Sequence, residues 1–171
     1  MKKSITLGWI TAAFLSFSTA SWAHESGSAG HAEHGGHEPT LELGLEGGVD
    51  SGSHQNFFAI SVAKPIQHTG AKVVLEYANG RHGDLGSNVT SLKLVKELFT
   101  IGHLEVGGVA GFAHAVEADK NGNGWVLGAE AAYPLTAWAD AKIEATRFTG
   151  VGKLRDEKAN VVQGGVVLKF D

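Results

Sequence analysis

The chain has no cysteine among its 171 residues. That excludes disulfides, thiolate catalysis and lipid attachment through an N-terminal thioether. Beyond residue 23 it has no long apolar run, so no transmembrane helix is available there. It also lacks an excess of basic residues. The formal charge of −4 argues against nucleic acid as a partner.

What is present begins with an export signal. Met1-Lys2-Lys3 is followed by an apolar stretch from Ile5 to Phe17 and by small residues ending in Ser21-Trp22-Ala23. A positive start, an apolar middle and a small-x-small site predict a signal peptide over 1–23, cut after Ala23. The apolar stretch is too short and too rich in Ser and Thr to span a bilayer. An exported chain without disulfides needs another source of stability, and a closed backbone hydrogen-bond ladder in lipid supplies one.

Residues 24–39 (HESGSAGHAEHGGHEP) carry Gly, His, Glu and Ser without apolar periodicity. Such a segment buries too little to offset its ordering entropy and is expected to be a flexible tail. From Thr40 the period becomes two. Eight segments are expected, at about 40–50, 56–66, 71–79, 88–98, 101–113, 124–133, 136–147 and 159–170. In the first, Leu41, Leu43, Leu45 and Val49 alternate with Glu42, Gly44, Glu46 and Asp50. In the third, Val73, Leu75 and Tyr77 alternate with Lys72 and Glu76. Segments of about ten residues suit a tilted membrane-crossing strand.

The connections alternate too. Those expected after segments two, four and six are short: Gln67-His68-Thr69-Gly70, Phe99-Thr100 and Pro134-Leu135. Those after one, three, five and seven are longer and polar: Ser51 to Gln55, Gly80 to Ser87, His114 to Asn123 and Thr149 to Lys158. Short turns at one end and long loops at the other are the asymmetry of outer-membrane barrels. An even strand number then leaves both termini, and the 24–39 tail, on the periplasmic side.

Alternation alone does not say which face meets lipid. The apolar face carries aromatics near segment ends (Phe58, Tyr77, Phe112, Trp125, Tyr133), where interfacial girdles belong. The polar face carries both charge signs, including Lys72, Glu76, Lys93, Glu97, Glu105, Glu130, Asp140, Lys142 and Glu144. It also carries glycines such as Gly44, Gly48, Gly107, Gly128 and Gly165. Inside a narrow barrel opposite charges can pair, as burial requires.

On these residues the chain resembles the small outer-membrane barrels of OmpA/OmpX architecture. Val162-x-Gly164-x-Val166-x-Leu168-x-Phe170 resembles their C-terminal insertion signal, with Asp171 following the terminal aromatic. The resemblance covers about residues 40–170. It implies an all-β fold, an eight-stranded antiparallel up-and-down transmembrane barrel over 40–171. It also implies the barrel-assembly machinery as a partner in insertion, and outer-membrane lipid and lipopolysaccharide around the mature protein. A monomer without enzymatic activity is expected.

Four constellations bear chemistry. His24, His31, His34 and His37 lie beside Glu25, Glu33 and Glu38, and imidazoles on a flexible segment can converge on Zn, Cu or Ni. Asp119-Lys120-Asn121-Gly122-Asn123-Gly124 with Glu130 fits a calcium-loop pattern, but without flanking helices. On a strand Glu130 would lie about 20 Å away, so a turn is expected instead. Asp50, Ser51, Ser53, His54, His82, Asp84, Ser87, His114, Glu117 and Asp119 gather at the long-loop end, where a hydrolytic site would need a nucleophile beside its base. His103 is expected on the lumen face near Glu105. Alternatives to a non-enzymatic barrel are a lipid A- or phospholipid-modifying enzyme, a narrow channel, and a soluble periplasmic ligand-binding barrel.

Overall fold

The computed structural model describes residues 39–51, 55–80, 88–117, 120–151 and 158–171. The tail histidines His24, His31, His34 and His37, and the predicted signal peptide, lie outside them. Eight strands follow one another: β1 (Leu41–Asp50), β2 (Gln55–Ile66), β3 (Ala71–Gly80), β4 (Asn88–Ile101), β5 (Leu104–Glu117), β6 (Lys120–Thr136), β7 (Ala139–Thr149) and β8 (Lys158–Phe170). Each pairs antiparallel with the next, and β8 returns to β1 to close the barrel. The closing ladder runs from Leu41↔Phe170 to Asp50↔Val161. It is extended by Thr40 N–H donating to the Phe170 carbonyl at 2.8 Å. Closure leaves no strand edge unpaired, the condition for a sheet in lipid.

The period of two sorts the side chains as expected. Leu45, Phe58, Ile60, Leu75, Leu92, Trp125 and Leu127 face outward, while Glu46, Ser61, Glu76, Lys93, Val126, Glu144 and Gln163 face the lumen and are buried. Glycine on the lumen face makes room where long side chains must cross. Gly165 of β8 lies between Glu46 of β1 and Lys142 of β7. A Cβ there would come 2.7 Å from Glu46 Cα. Gly111 pairs with Lys93, and its Cβ would come 2.8 Å from Lys93 Cα. Real Cβ atoms do not approach that closely, so alanine at either position would force the backbone apart.

Two turns differ from expectation. β4 runs on to Ile101 and turns at Gly102-His103, not at Phe99-Thr100, because a bulge between Glu97 and Phe99 absorbs an extra residue. Gly102 takes the positive φ of 62° that this tight turn requires. β6 likewise continues past Pro134 through a bulge between Pro134 and Thr136. A proline tolerated at a bulge does not end the strand.

The long polar loop expected from His114 to Asn123 is also corrected. His114↔Asn123, Ala115↔Gly122, Val116↔Asn121 and Glu117↔Lys120 are strand pairs. The ladder between β5 and β6 therefore runs on to Glu117↔Lys120. Asn and Gly in this stretch read as loop, yet the ladder carries them.

Candidate functional site

From the long-loop end to the short-turn end the lumen has three tiers. The first is apolar: Phe57, Ala59, Ala78, Val89, Ala113, Ala115, Val126, Phe148, Val151, Ala159 and Val161 form one buried cluster. A void of only about 10 Å³ remains beneath it, lined in part by Phe57, Phe148, Glu76 and Gln163. That is at the limit for a single water.

The second tier is ionic. Lys93, 1% exposed, reaches Glu76 at 2.8 Å and crosses the barrel to Glu144 of β7 at 2.6 Å. Lys142 passes over Gly165 to Glu46 at 2.7 Å and lies 3.5 Å from Glu144. Glu76 also accepts from Gln163 Nε2 at 2.8 Å and from Ser91 Oγ at 3.4 Å. Ser61 Oγ donates to Glu46 at 3.3 Å. Three carboxylates thus share two ammonium groups. Glu46, Glu76 and Glu144 bring oxygens within 4.8 Å of one another, but the lysines occupy the space between them. Charges this deep are held because each is paired and hydrogen-bonded.

In the third tier the lumen widens into a cavity of about 230 Å³ at the short-turn end. Lys72 ties Glu42 at 3.2 Å to Glu130 of β6 at 3.1 Å, and Lys169 holds Asp140 at 2.8 Å.

The outer surface is the complement of this interior. Trp125, Leu127, Tyr133 and Leu135 of β6 are exposed, and so are the apolar side chains of every other strand facing outward. From Trp125 to Leu135 the belt spans ~25 Å, taking about 3.3 Å per residue and a tilt near 40°. Aromatics rim it on both sides. Phe58, Tyr77, Phe112 and Trp125 stand toward the long loops, and Phe99, Tyr133, Trp138 and Phe170 toward the turns. Phe112 and Trp125 pack edge to face at 5.7 Å. Beyond the upper rim the outward positions turn polar. Asn88 accepts from Tyr77 at 2.9 Å and from Asn79 at 2.8 Å, and His114 Nδ1 meets Asn123 Oδ1 at 2.5 Å.

The lumen charges Glu42, Glu46, Lys72, Glu76, Lys93, Glu130, Asp140, Lys142 and Glu144 stand where alternation put them, and the structure adds which of them pair. His103 does not face the lumen. It sits in the Gly102-His103 turn with its ring edge-on to Tyr133 at 6.5 Å, because the alternation begins only at Leu104. The calcium-loop pattern is also dispersed: Lys120–Gly124 are strand, and Glu130 is held in the lumen by Lys72.

Of the hydrolytic set, Ser53, His54, His82, Asp84, Ser87, Asp119 and the Glu117 side chain lie outside the described residues. Asp50 is buried in the lumen, whereas His114 lies on the opposite face of the sheet. Ser51 Oγ donates to the Asn160 carbonyl at 3.0 Å.

No protein-family model matches the chain, and no curated protein matches it. Among solved structures, the N-terminal β-barrel domain of Pseudomonas aeruginosa OprF aligns with a TM-score of 0.59 at 20% identity. The alignment covers 78% of this chain and 98% of that one. The architecture is of the OmpA type. The likeness to OprF is one of fold.

Proposed function

We propose that this chain is a non-enzymatic, monomeric integral barrel of a Gram-negative outer membrane. It is exported by a signal peptide over 1–23, presents its long loops outward and anchors the 24–39 tail in the periplasm. One observation carries the reading: an apolar belt ~25 Å tall, rimmed by aromatics, surrounds an interior of paired charges. A soluble barrel has the reverse distribution, with its charges in water and its apolar side chains inside. No described helix is long and apolar enough to cross a membrane, so any crossing is made by strands.

The filled upper lumen supports a structural and surface-interaction role over that of a pore. An eight-stranded barrel has room for its own side chains and little more. In the tail, His24, His31, His34 and His37 weakly bind Zn, Cu or Ni. Lipopolysaccharide and phospholipid contact the belt, and the barrel-assembly machinery inserts the chain.

The test is fractionation of expressing cells, with electrophoresis of boiled and unboiled samples. Recovery in the outer membrane with a heat-dependent mobility shift is expected. Recovery in the osmotic-shock fluid without a shift would refute the reading. For the tail, zinc titration of the full chain should show a weak site that is lost when all four histidines become alanine.

A further inference from the structure

Asparagine is depleted from strands. Here Asn56, Asn79, Asn88, Asn123 and Asn160 stand on β2, β3, β4, β6 and β8, all on the outward face and all toward the long loops. His114 of β5 and Thr149 of β7 extend the ring, which lies just beyond the upper aromatics. The turn end differs, because its outward polar positions include the lysines Lys64 and Lys96. The two rims of the belt therefore face different chemistry. Amide side chains both donate and accept, which suits the hydroxyls of a sugar.

One cation interrupts this neutral rim. Arg147 of β7 is exposed on the outward face, between Leu127 of β6 and Asn160 of β8 in register. The register sets its height. The row that leaves Lys64, near the turn end of β2, passes Val73, Leu94 and Ala110 before it reaches Arg147. It then arrives at Asn160, whose carbonyl accepts from Ser51 N–H at 2.9 Å at the long-loop end. Rows thus climb from β2 to β8, and Arg147 stands near the height of Trp125, where the belt meets water. It forms no ion pair with the described residues. Among them no carboxylate stands on the outward face of the long-loop half. A guanidinium at that boundary draws its anion from outside the chain, and its planar fork fits phosphate. Below it the surface is shallow. At mid-belt β5 to β8 present Ala110, Ala129, Ala145 and Gly164, where β1 to β4 present Leu45, Ile60, Leu75 and Leu92.

We propose that the outward face of β6 to β8 binds a phosphorylated glycolipid of the surrounding leaflet. Arg147 holds a phosphate through charge-assisted hydrogen bonds. Asn160 and Thr149 meet sugar hydroxyls beside it, and the acyl chains run down the shallow surface over Ala145 and Gly164. The lysines of the opposite rim take no part. A glycerophospholipid offers the phosphate but no sugar ring for the amides. The inference rests on the outer-membrane reading and assigns one lipid a fixed place on its belt.

The experiment is native mass spectrometry of the full chain, folded in a non-ionic detergent. It is mixed in turn with lipid A, lipid A freed of its phosphates, and phosphatidylglycerol. The heat-dependent mobility shift checks the folding of every variant, so a folded barrel that retains no lipid refutes this site and not the barrel. The barrel's location is tested separately by fractionation. One lipid A per chain is expected, with the dephosphorylated form and phosphatidylglycerol held about tenfold more weakly. Arg147→Gln should weaken lipid A about tenfold, and Asn160→Ala about threefold. Lys64→Gln, outward at the other rim, should change nothing. Failure to retain lipid A would overturn the proposal. So would equal retention of either control lipid, unchanged affinity in Arg147→Gln, or an equal loss in Lys64→Gln.

Discussion

Lys93 is the residue on which the ionic tier turns. It is sealed from water and joins β4 to β7 across the lumen through Glu76 and Glu144. Removing one partner of such a pair leaves the others charged and buried. Lys93→Met is therefore expected to lower stability by about 3–5 kcal/mol, measured by urea titration of the refolded protein in detergent. Adding Glu76→Gln and Glu144→Gln to that variant should recover most of the loss, because no charge is then left unpaired. These charges were legible in the sequence, since a period of two assigns each side chain to a face. The pairing was not legible, because it depends on strand neighbours far apart in sequence and on the gap that Gly165 leaves between Glu46 and Lys142. His103 was misplaced for a local reason: parity has meaning only within a strand, and Gly102-His103 is the turn.

At the scale of the strand, the cost of a charge on the outward face should depend on its height on the barrel. Leu75 of β3 is 53% exposed within the apolar belt. Leu75→Arg should cost about 2–4 kcal/mol in lipid, whereas Asn88→Arg, on the polar rim beyond the belt, should cost about 0–1 kcal/mol. Refolding into vesicles at graded urea concentrations measures both. Strand number and order were readable because each apolar alternation is bounded by turn residues. Strand ends were less so. Bulges at Glu97/Phe99 and Pro134/Thr136 carried β4 and β6 past the residues that looked like their turns. The Asn- and Gly-rich stretch after His114 stayed in register because its partner strand held it.

For the whole molecule, the order of the tiers matters more than any one of them. Apolar packing closes the lumen toward the long loops and the ionic tier closes it at mid-height, while the cavity is confined to the turn end. In planar bilayers the protein should show no steady conductance, and neutralising Lys72 or Glu76 should not create ion selectivity. Steady channels of defined conductance would refute a filled interior. The closed barrel was legible from the even number of segments and the alternation within each of them. The unequal ends of its lumen were not, because small residues such as Ala59, Ala113 and Ala115 declare no side of their own until neighbouring strands bring Phe57 and Phe148 against them. A lumen that ends blind has a thermodynamic consequence. A concentration difference between the two sides of the sheet finds no path through it and can drive no flux. Whatever enters the cavity exchanges with a single compartment, so its occupancy reports the composition of that compartment alone, at equilibrium.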